Sequence, residues 1–347
     1  MKLGIIGAGI IGLQTAYHAL KNNFDVTVYE QSSSLGYGAS GHNAGVLHVL
    51  QPPFINRKAR MAKKANPLYD RLSEELGFRV RRLPLFLVYR NTKEKTLALT
   101  AGVILKSLGY PVTRVERDEV LGECPDLTKS VNGALKVEGY GTVHPLEVLE
   151  SLAKWVEEHG GAIRYATKVV SVEDTGKKAC IRSIDTRECF DKVAVTAGPG
   201  VREIYNGYLP RIGFYKGVMV YTRLNCNAII APLISKSRSK KTKGGGIIPL
   251  PDGRVILGPS FSETNNPWDT SVTPEEAFET VEIYIDLLSH EPDIQGYTAG
   301  TRAKNLSKDD FYIGKKGNII VTAGIDSPGF TASPLIAREI VSLASLP

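Results

Sequence analysis

Lys2 to Ile6 form a short apolar run that ends in glycines, and Ile11, Ala16, Ala19 and Leu20 then recur at helical spacing through Ile10 to Leu20. Strand, tight turn and helix are expected in that order. Phe24 to Glu30 follows the Asn22-Asn23 turn and is rich in β-branched residues, which makes it the parallel second strand of a βαβ unit. Arg57 to Leu76 reads as one amphipathic helix, with Met61, Ala65, Leu68 and Leu72 on its apolar side and lysines and arginines on the other. Short strands and a helix are expected from Phe78 to Val143, punctuated by Pro84 and Pro111.

His144 to Glu158 reads as a helix opened by Pro145, with Leu146, Leu149, Leu152 and Val156 on one face and a strand after it at Ala162 to Tyr165. Lys192 to Ala197 is a buried-type strand that should return to the first sheet. Arg211 to Thr222, Gly246 to Leu250 and Arg254 to Gly258 suit an antiparallel sheet, the last two joined as a hairpin by Pro251-Asp252-Gly253. Thr273 to Leu288 is expected as a helix whose Glu275 and Glu276 complement its dipole. Asn318 to Ala323 reads as a strand, Gly324 to Pro334 as a loop and Leu335 to Leu343 as a terminal helix. The fold expected is α/β (α+β overall). A Rossmann-type domain of residues 1–77, 144–204 and 304–347 is interleaved with a substrate-binding domain of residues 78–143 and 205–303, built on an antiparallel sheet.

Composition narrows the class. Hydrophobic residues make up 42% and charged residues 23% of the 347, the profile of a globular enzyme. Lysine plus arginine number 43 against 36 acids, and this +7 balance favours anionic partners. Aromatics are only 8% and no nucleic-acid module accompanies the charge, so a DNA or RNA reader is not expected. Cys124, Cys180, Cys189 and Cys226 show no CxxC spacing and read as free thiols of a reducing compartment. With no signal peptide and no apolar stretch of about 18 residues, a cytoplasmic protein is expected, contact with a membrane surface being left open.

The turn after the first strand carries Gly7-Ala8-Gly9-Ile10-Ile11-Gly12. Gly7 permits the tight turn, Gly9 lets the main chain approach a pyrophosphate, and Gly12 lets helix and strand pack closely. Glu30 ends the second strand, eighteen residues past Gly12, where an acid accepts from both ribose hydroxyls and disfavours a 2′-phosphate. These residues indicate an unphosphorylated dinucleotide and leave FAD and NAD open.

Beyond Glu30, the run from Ser32 to His48 resembles the segment after the second strand in the D-amino acid oxidase superfamily of flavoproteins. Gly41-His42-Asn43-Ala44-Gly45-Val46-Leu47-His48 is similar to the GHNSGVIH stretch of 2-hydroxyglutarate dehydrogenases and the HANSGVIH of glycerol-3-phosphate oxidases, with Ala44 where serine is usual and Gln51-Pro52-Pro53 after it in place of the family's pattern. Val195-Thr196-Ala197-Gly198 resembles the strand-ending ATG element, and Thr142-Val143-His144-Pro145 the V-D-P helix start. Lys243 to Gly246 with the IIPLPDGRVILGP run, Gly300-Thr301-Arg302 with Asp310-Phe311, and Ser327 to Pro334 resemble elements of the glycerol-3-phosphate group. The resemblance covers nearly the whole chain and implies FAD, with an FAD-binding Rossmann-type domain. It implies cofactor contacts from Ile10, Ile11, Gln31, Ser40, Gly41, His42, Asn43, Ala44, Gly45, Val46, Val169, Ala197, Gly198, Gly300, Arg302, Asp326, Ser327, Gly329, Phe330 and Thr331, beside Gly7, Gly9, Gly12 and Glu30. Gly324 belongs to the same final loop.

Flavoproteins of this type oxidise a CH–OH or CH–NH bond and must orient the carbon, remove a proton and hold the anionic end. An imidazole can take an alcohol proton and a guanidinium can hold an anion; the resemblance implies that His48 is the base candidate, Arg302 the anion clamp and Lys243 a further substrate residue. His42, Tyr215 and Lys216 are weaker candidates for the pocket wall. Glycerol 3-phosphate is the expected substrate, with a 2-hydroxy acid such as 2-hydroxyglutarate, or an amino acid, as alternatives and a non-catalytic FAD-binding subunit as a third reading. The acceptor, quinone, protein or dioxygen, is left open. The basic run Lys236, Arg238, Lys240, Lys241 and Lys243 reads as a solvated loop or an anionic-lipid contact. No spacing suits a metal site.

Overall fold

A computed structural model describes residues 1–233 and 245–347. The basic run from Lys236 to Lys243, Lys243 among it, lies outside the described residues.

Lys2–Ile6 is the centre of a six-stranded sheet. Asp25–Tyr29 and then Ala162–Arg164 lie on one side of it, Lys192–Val195, Ile319–Ala323 and Tyr312–Lys316 on the other. All neighbours run parallel except Tyr312–Lys316, which pairs antiparallel. Strands buried on both faces need two covers. One is a layer of helices, Ile10–Leu20, Pro145–Glu158 and the C-terminal helix, packed through Leu13, Leu149, Leu152, Ile336 and Ile340. The other is a three-stranded sheet of Val169–Asp174, Ala179–Ser183 and Arg187–Phe190, whose Ile181 and Phe190 press on Gly4, where even a methyl group would meet them at 2.7 Å.

Residues from the two inner segments build a nine-stranded sheet. Its longest strands, Ile212–Arg223 and Asp293–Asn305, pair antiparallel along their whole length, placing Tyr215 opposite Arg302 and Gly217 opposite Gly300. Gly246–Pro249 and Val255–Gly258 form the hairpin expected around Pro251-Asp252-Gly253.

Three local expectations are corrected. Arg57–Leu76 is two helices, Arg57–Ala65 and Leu68–Leu76. Pro67 has no N–H to continue the ladder, and Asn66 Nδ2 is instead spent on the carbonyls of Leu47, at 2.9 Å, and His48, at 3.3 Å. The terminal helix begins at Gly329, not Leu335, so half of the expected loop is helical and Pro334 lies inside. The missing Pro334 N–H leaves the Phe330 carbonyl without its helical donor, and Tyr69 Oη supplies one at 2.5 Å.

The third correction concerns cysteine. All four are paired, Cys124 with Cys226 and Cys180 with Cys189, at Cα separations of 4.1 and 4.0 Å. Cys180 and Cys189 face each other across two antiparallel strands. Cys124 and Cys226 are 102 residues apart in sequence and meet through the tertiary fold alone. The free-thiol expectation therefore fails: the Cys180–Cys189 pair spans nine residues of one hairpin, and nothing in the spacing marks the Cys124–Cys226 pair.

Among the described residues no helix is long and apolar enough to cross a membrane. His18 is buried on the Ile10–Leu20 helix, where burial first, and then the charges of Arg338 and Lys21, push its imidazole down to about 4. A neutral form favoured in the fold contributes stability that is fully present above the unfolded value near 6.5 and is lost as pH falls toward 4. The loss reaches about 3 kcal/mol. Urea melts at pH 7.5 and 4.5 should show it, and His18→Leu should flatten the dependence over that window. An unchanged slope in the variant would refute the assignment.

Candidate functional site

A cleft of about 1210 Å³ runs between the two sheets, larger than the roughly 300–1,000 Å³ of most small-ligand sites. Gly7, at φ 100°, turns the chain from the first strand into the Ile10–Leu20 helix, whose N-terminus opens on the cleft. Gly12 sits beneath, where a Cβ would lie 1.9 Å from the Gly7 carbonyl oxygen. The first amides of a helix have no intrahelical acceptor. Ile10 N donates to Ser40 Oγ at 3.0 Å. At the end of the second strand, Glu30 accepts from Ala8 N and Ser32 N, both at 2.9 Å, and keeps lone pairs for other donors.

The loop from Ser32 to Gly45 is held by its own side chains. Asn43 Nδ2 donates to Ser40 O at 2.8 Å and its Oδ1 accepts from Gly45 N at 2.8 Å. His42 Nδ1 lies 3.2 Å from Gly38 O. The His42 carbonyl passes so close to Gly300 that a Cβ there would stand at 2.2 Å from it, so Gly300 is what admits this loop to the large sheet.

A second helix N-terminus, that of Gly329–Ser345, opens on the same cleft through Gly329, Phe330 and Thr331. Thr331 Oγ1 donates to Val46 O at 3.1 Å and accepts from His48 N at 3.1 Å, tying this helix to the base candidate. His48 Nε2 is 3.5 Å from Ser327 Oγ, and its ring stands edge-on to Tyr140. Burial, and then the positive charge of Arg302, hold the imidazole at about 4, so it is neutral and able to accept a proton throughout the neutral range. Arg302 lines the cleft with its guanidinium 5.6 Å from the Phe261 ring centre. Among the described residues it makes no hydrogen bond or ion pair.

Most of the residues singled out in the sequence therefore meet in one place. Gly7, Gly9, Ile10, Ile11, Glu30, Gln31, Ser40, His42, Asn43, Ala44, Val46, His48, Val169, Ala197, Gly198, Gly300, Arg302, Asp326, Ser327, Gly329, Phe330 and Thr331 line the cleft. Gly12, Gly41 and Gly45 do not; they permit close backbone packing behind it. Tyr215 and Lys216 also stay out of the wall. Alternation along Ile212–Arg223 turns Gly217 to the cleft, while Lys216 is buried against Glu276, at 2.8 Å, and Asp269, at 3.3 Å. Tyr215 stacks on Phe261.

Lys58 escaped the sequence reading. Its helix appeared to turn every lysine outward, yet Lys58, Ala62 and Ala65 follow helical spacing on the buried face. Its ammonium reaches Asp326 Oδ1 at 2.5 Å. Burial pushes the Asp326 carboxyl up, with the Lys58 ammonium opposing.

The cleft suits FAD on its own geometry. Two helix N-termini face it, one placed for a pyrophosphate and one for negative charge on a flavin. Gly198, at φ 55°, has open space where a Cβ would stand, and Glu30 follows the Asp25–Tyr29 strand, the neighbour of the strand that leads into Gly7.

Comparison with known proteins agrees. The family model described as "FAD dependent oxidoreductase" matches residues 2–343. The chain is similar to a glycerol 3-phosphate dehydrogenase of Caloramator mitchellensis, 27% identical over 361 residues covering 98% of this chain and 73% of the relative. It is 26% identical over 369 residues to a glycerol 3-phosphate oxidase of Mycoplasma genitalium, covering 99% and 94%. Among solved structures, the dithionite-reduced L-alpha-glycerophosphate oxidase from Mycoplasma pneumoniae with FAD bound superposes at a TM-score of 0.88, with 20% identity over 100% of this chain and 95% of that one. Glycine oxidase from Geobacillus kaustophilus follows at 0.87, with 20% identity over 99% and 94%. At these identities the structures speak for the fold.

Proposed function

Since the chain belongs to the FAD-dependent oxidoreductase family, we propose that it oxidises a small anionic alcohol, glycerol 3-phosphate, to dihydroxyacetone phosphate. Bound FAD supplies the acceptor for the hydride that leaves the carbon. The residues of the chain do the rest. Neutral His48 takes the hydroxyl proton, Arg302 holds the phosphate, and the two helix N-termini favour negative charge in the cofactor. Lys243 is proposed as a second phosphate contact. The electrons then pass to a quinone, a protein or dioxygen, the relatives' names including both a dehydrogenase and an oxidase.

The observation that carries this reading is Arg302, a guanidinium unpaired among the described residues in a cleft that also holds a neutral imidazole. A half-buried guanidinium with no ion pair among the described residues is suited to an incoming anion. Anaerobic mixing tests the substrate. Loss of flavin colour with glycerol 3-phosphate but not with 2-hydroxyglutarate supports the proposal, and the reverse selects a 2-hydroxy acid. No loss with either, or with amino acids, indicates a subunit without its own catalysis. Arg302→Ala should raise KM about tenfold or more with a smaller change in kcat, since a bidentate anion contact made before the reaction is removed. An unchanged KM would reject the clamp.

A further inference from the structure

Arg302 shares its cleft with a carboxylate, Asp326, yet the two are not paired. Asp326 Oδ1 instead accepts from Lys58 Nζ at 2.5 Å, and the same ammonium lies 3.4 Å from Asp309 Oδ1. Lys58 arrives from a separate element, the first turn of Arg57–Ala65. Its side chain is only 3% exposed and its ammonium lies 5.3 Å from the centre of the Phe311 ring. The other buried positions of that helix are alanines. A lysine placed there loses hydration that only a fixed acid offsets. Neighbouring Arg57 cannot take its place, being engaged by Asp310 and Glu339.

The charges of Asp326 and Arg302 already act on each other across the cleft they both line, and without Lys58 the carboxylate would be left to the guanidinium as a charge-assisted pair. That pair would occupy the donors an anionic substrate needs. We propose that Lys58 is a positioning residue that sets the site's affinity for anions, because by holding Asp326 it keeps Arg302 open to the substrate's phosphate or carboxylate. The inference rests on Arg302 being the anion clamp. Lys58 also lines the cleft, and the role proposed for it is exerted through Asp326.

The test uses the FAD-loaded protein, with inorganic phosphate binding by calorimetry beside KM and kcat for glycerol 3-phosphate. Lys58→Met should raise both the phosphate Kd and KM by about tenfold or more, leaving kcat within about threefold. Lys58→Arg should bind nearly as the parent does, and Lys58→Met with Asp326→Asn should recover most of the affinity. Parent-like affinity in Lys58→Met, or a double variant as weak as the single one, overturns the proposal. Should Lys58→Met fail to fold, Lys58→Gln keeps a donor for Asp326 without the charge. It should show an intermediate loss, and unaltered phosphate binding in it would also overturn the proposal. Phosphate binding that survives Arg302→Ala refutes the clamp itself. Binding that is lost in Arg302→Ala but kept in Lys58→Met refutes only the role of Lys58.

Discussion

His48→Ala is expected to slow substrate oxidation by about 10²-fold or more, the usual contribution of a general base. The backbone of His48 is held on both sides, its N–H donating to Thr331 Oγ1 and its carbonyl accepting from Asn66 Nδ2, while the ring nitrogen Nε2 faces Ser327 Oγ at 3.5 Å. A group so placed is oriented before substrate arrives, and no other described imidazole except that of His42 lines the cleft. The measurement is single-turnover loss of flavin colour, which separates chemistry from acceptor turnover. Because burial and Arg302 hold His48 near 4 in the free site, its own protonation should not limit kcat/KM until well below pH 6. A variant that reacts at near-parent speed would remove His48 from the mechanism.

Gly12→Val is expected to yield a protein that does not retain FAD. A Cβ at this position would lie 1.9 Å from the Gly7 carbonyl oxygen and 2.8 Å from Thr196 Oγ1. The first contact is with backbone, so no rotamer relieves it; the helix must move off the strand, taking its N-terminal amides away from the pyrophosphate. Overpacking of this kind costs about 1–3 kcal/mol or more, and loss of the phosphate seat adds to it, so FAD affinity should fall at least about 10²-fold. The purified variant should be colourless and bind added FAD weakly by fluorescence quenching. A yellow protein with one FAD per chain would show that this turn does not seat the cofactor.

The parts legible in sequence are those where the local pattern and the tertiary demand agree. Gly7, Gly9, Gly12 and Glu30 are needed by the βαβ turn itself, within thirty residues, and strand runs such as Lys192 to Val195 carry their burial in their composition. Elsewhere local signals mislead. Pro334 marks a loop by every local rule, and the helix passes through it because Tyr69, some 260 residues earlier, supplies a donor to Phe330 O. Lys58 and Lys216 look like surface charges and are buried on carboxylates from other segments. The four cysteines look unpaired because the proximity of Cys124 to Cys226 exists only after folding.

The sequence by itself determined the nucleotide-binding turn and the class of fold, which rest on residue type and short-range spacing, and it marked His48 and Arg302 as candidates through the motifs that resemble those of the family. Only the tertiary structure decided that these two share one cleft, that Arg302 makes no ion pair among the described residues and that Asp326, which lines the same cleft, is paired with Lys58. Charge pairing depends on distances between segments remote in the chain, and in a poorly hydrated interior those distances decide which cation is neutralised and which is left for a ligand.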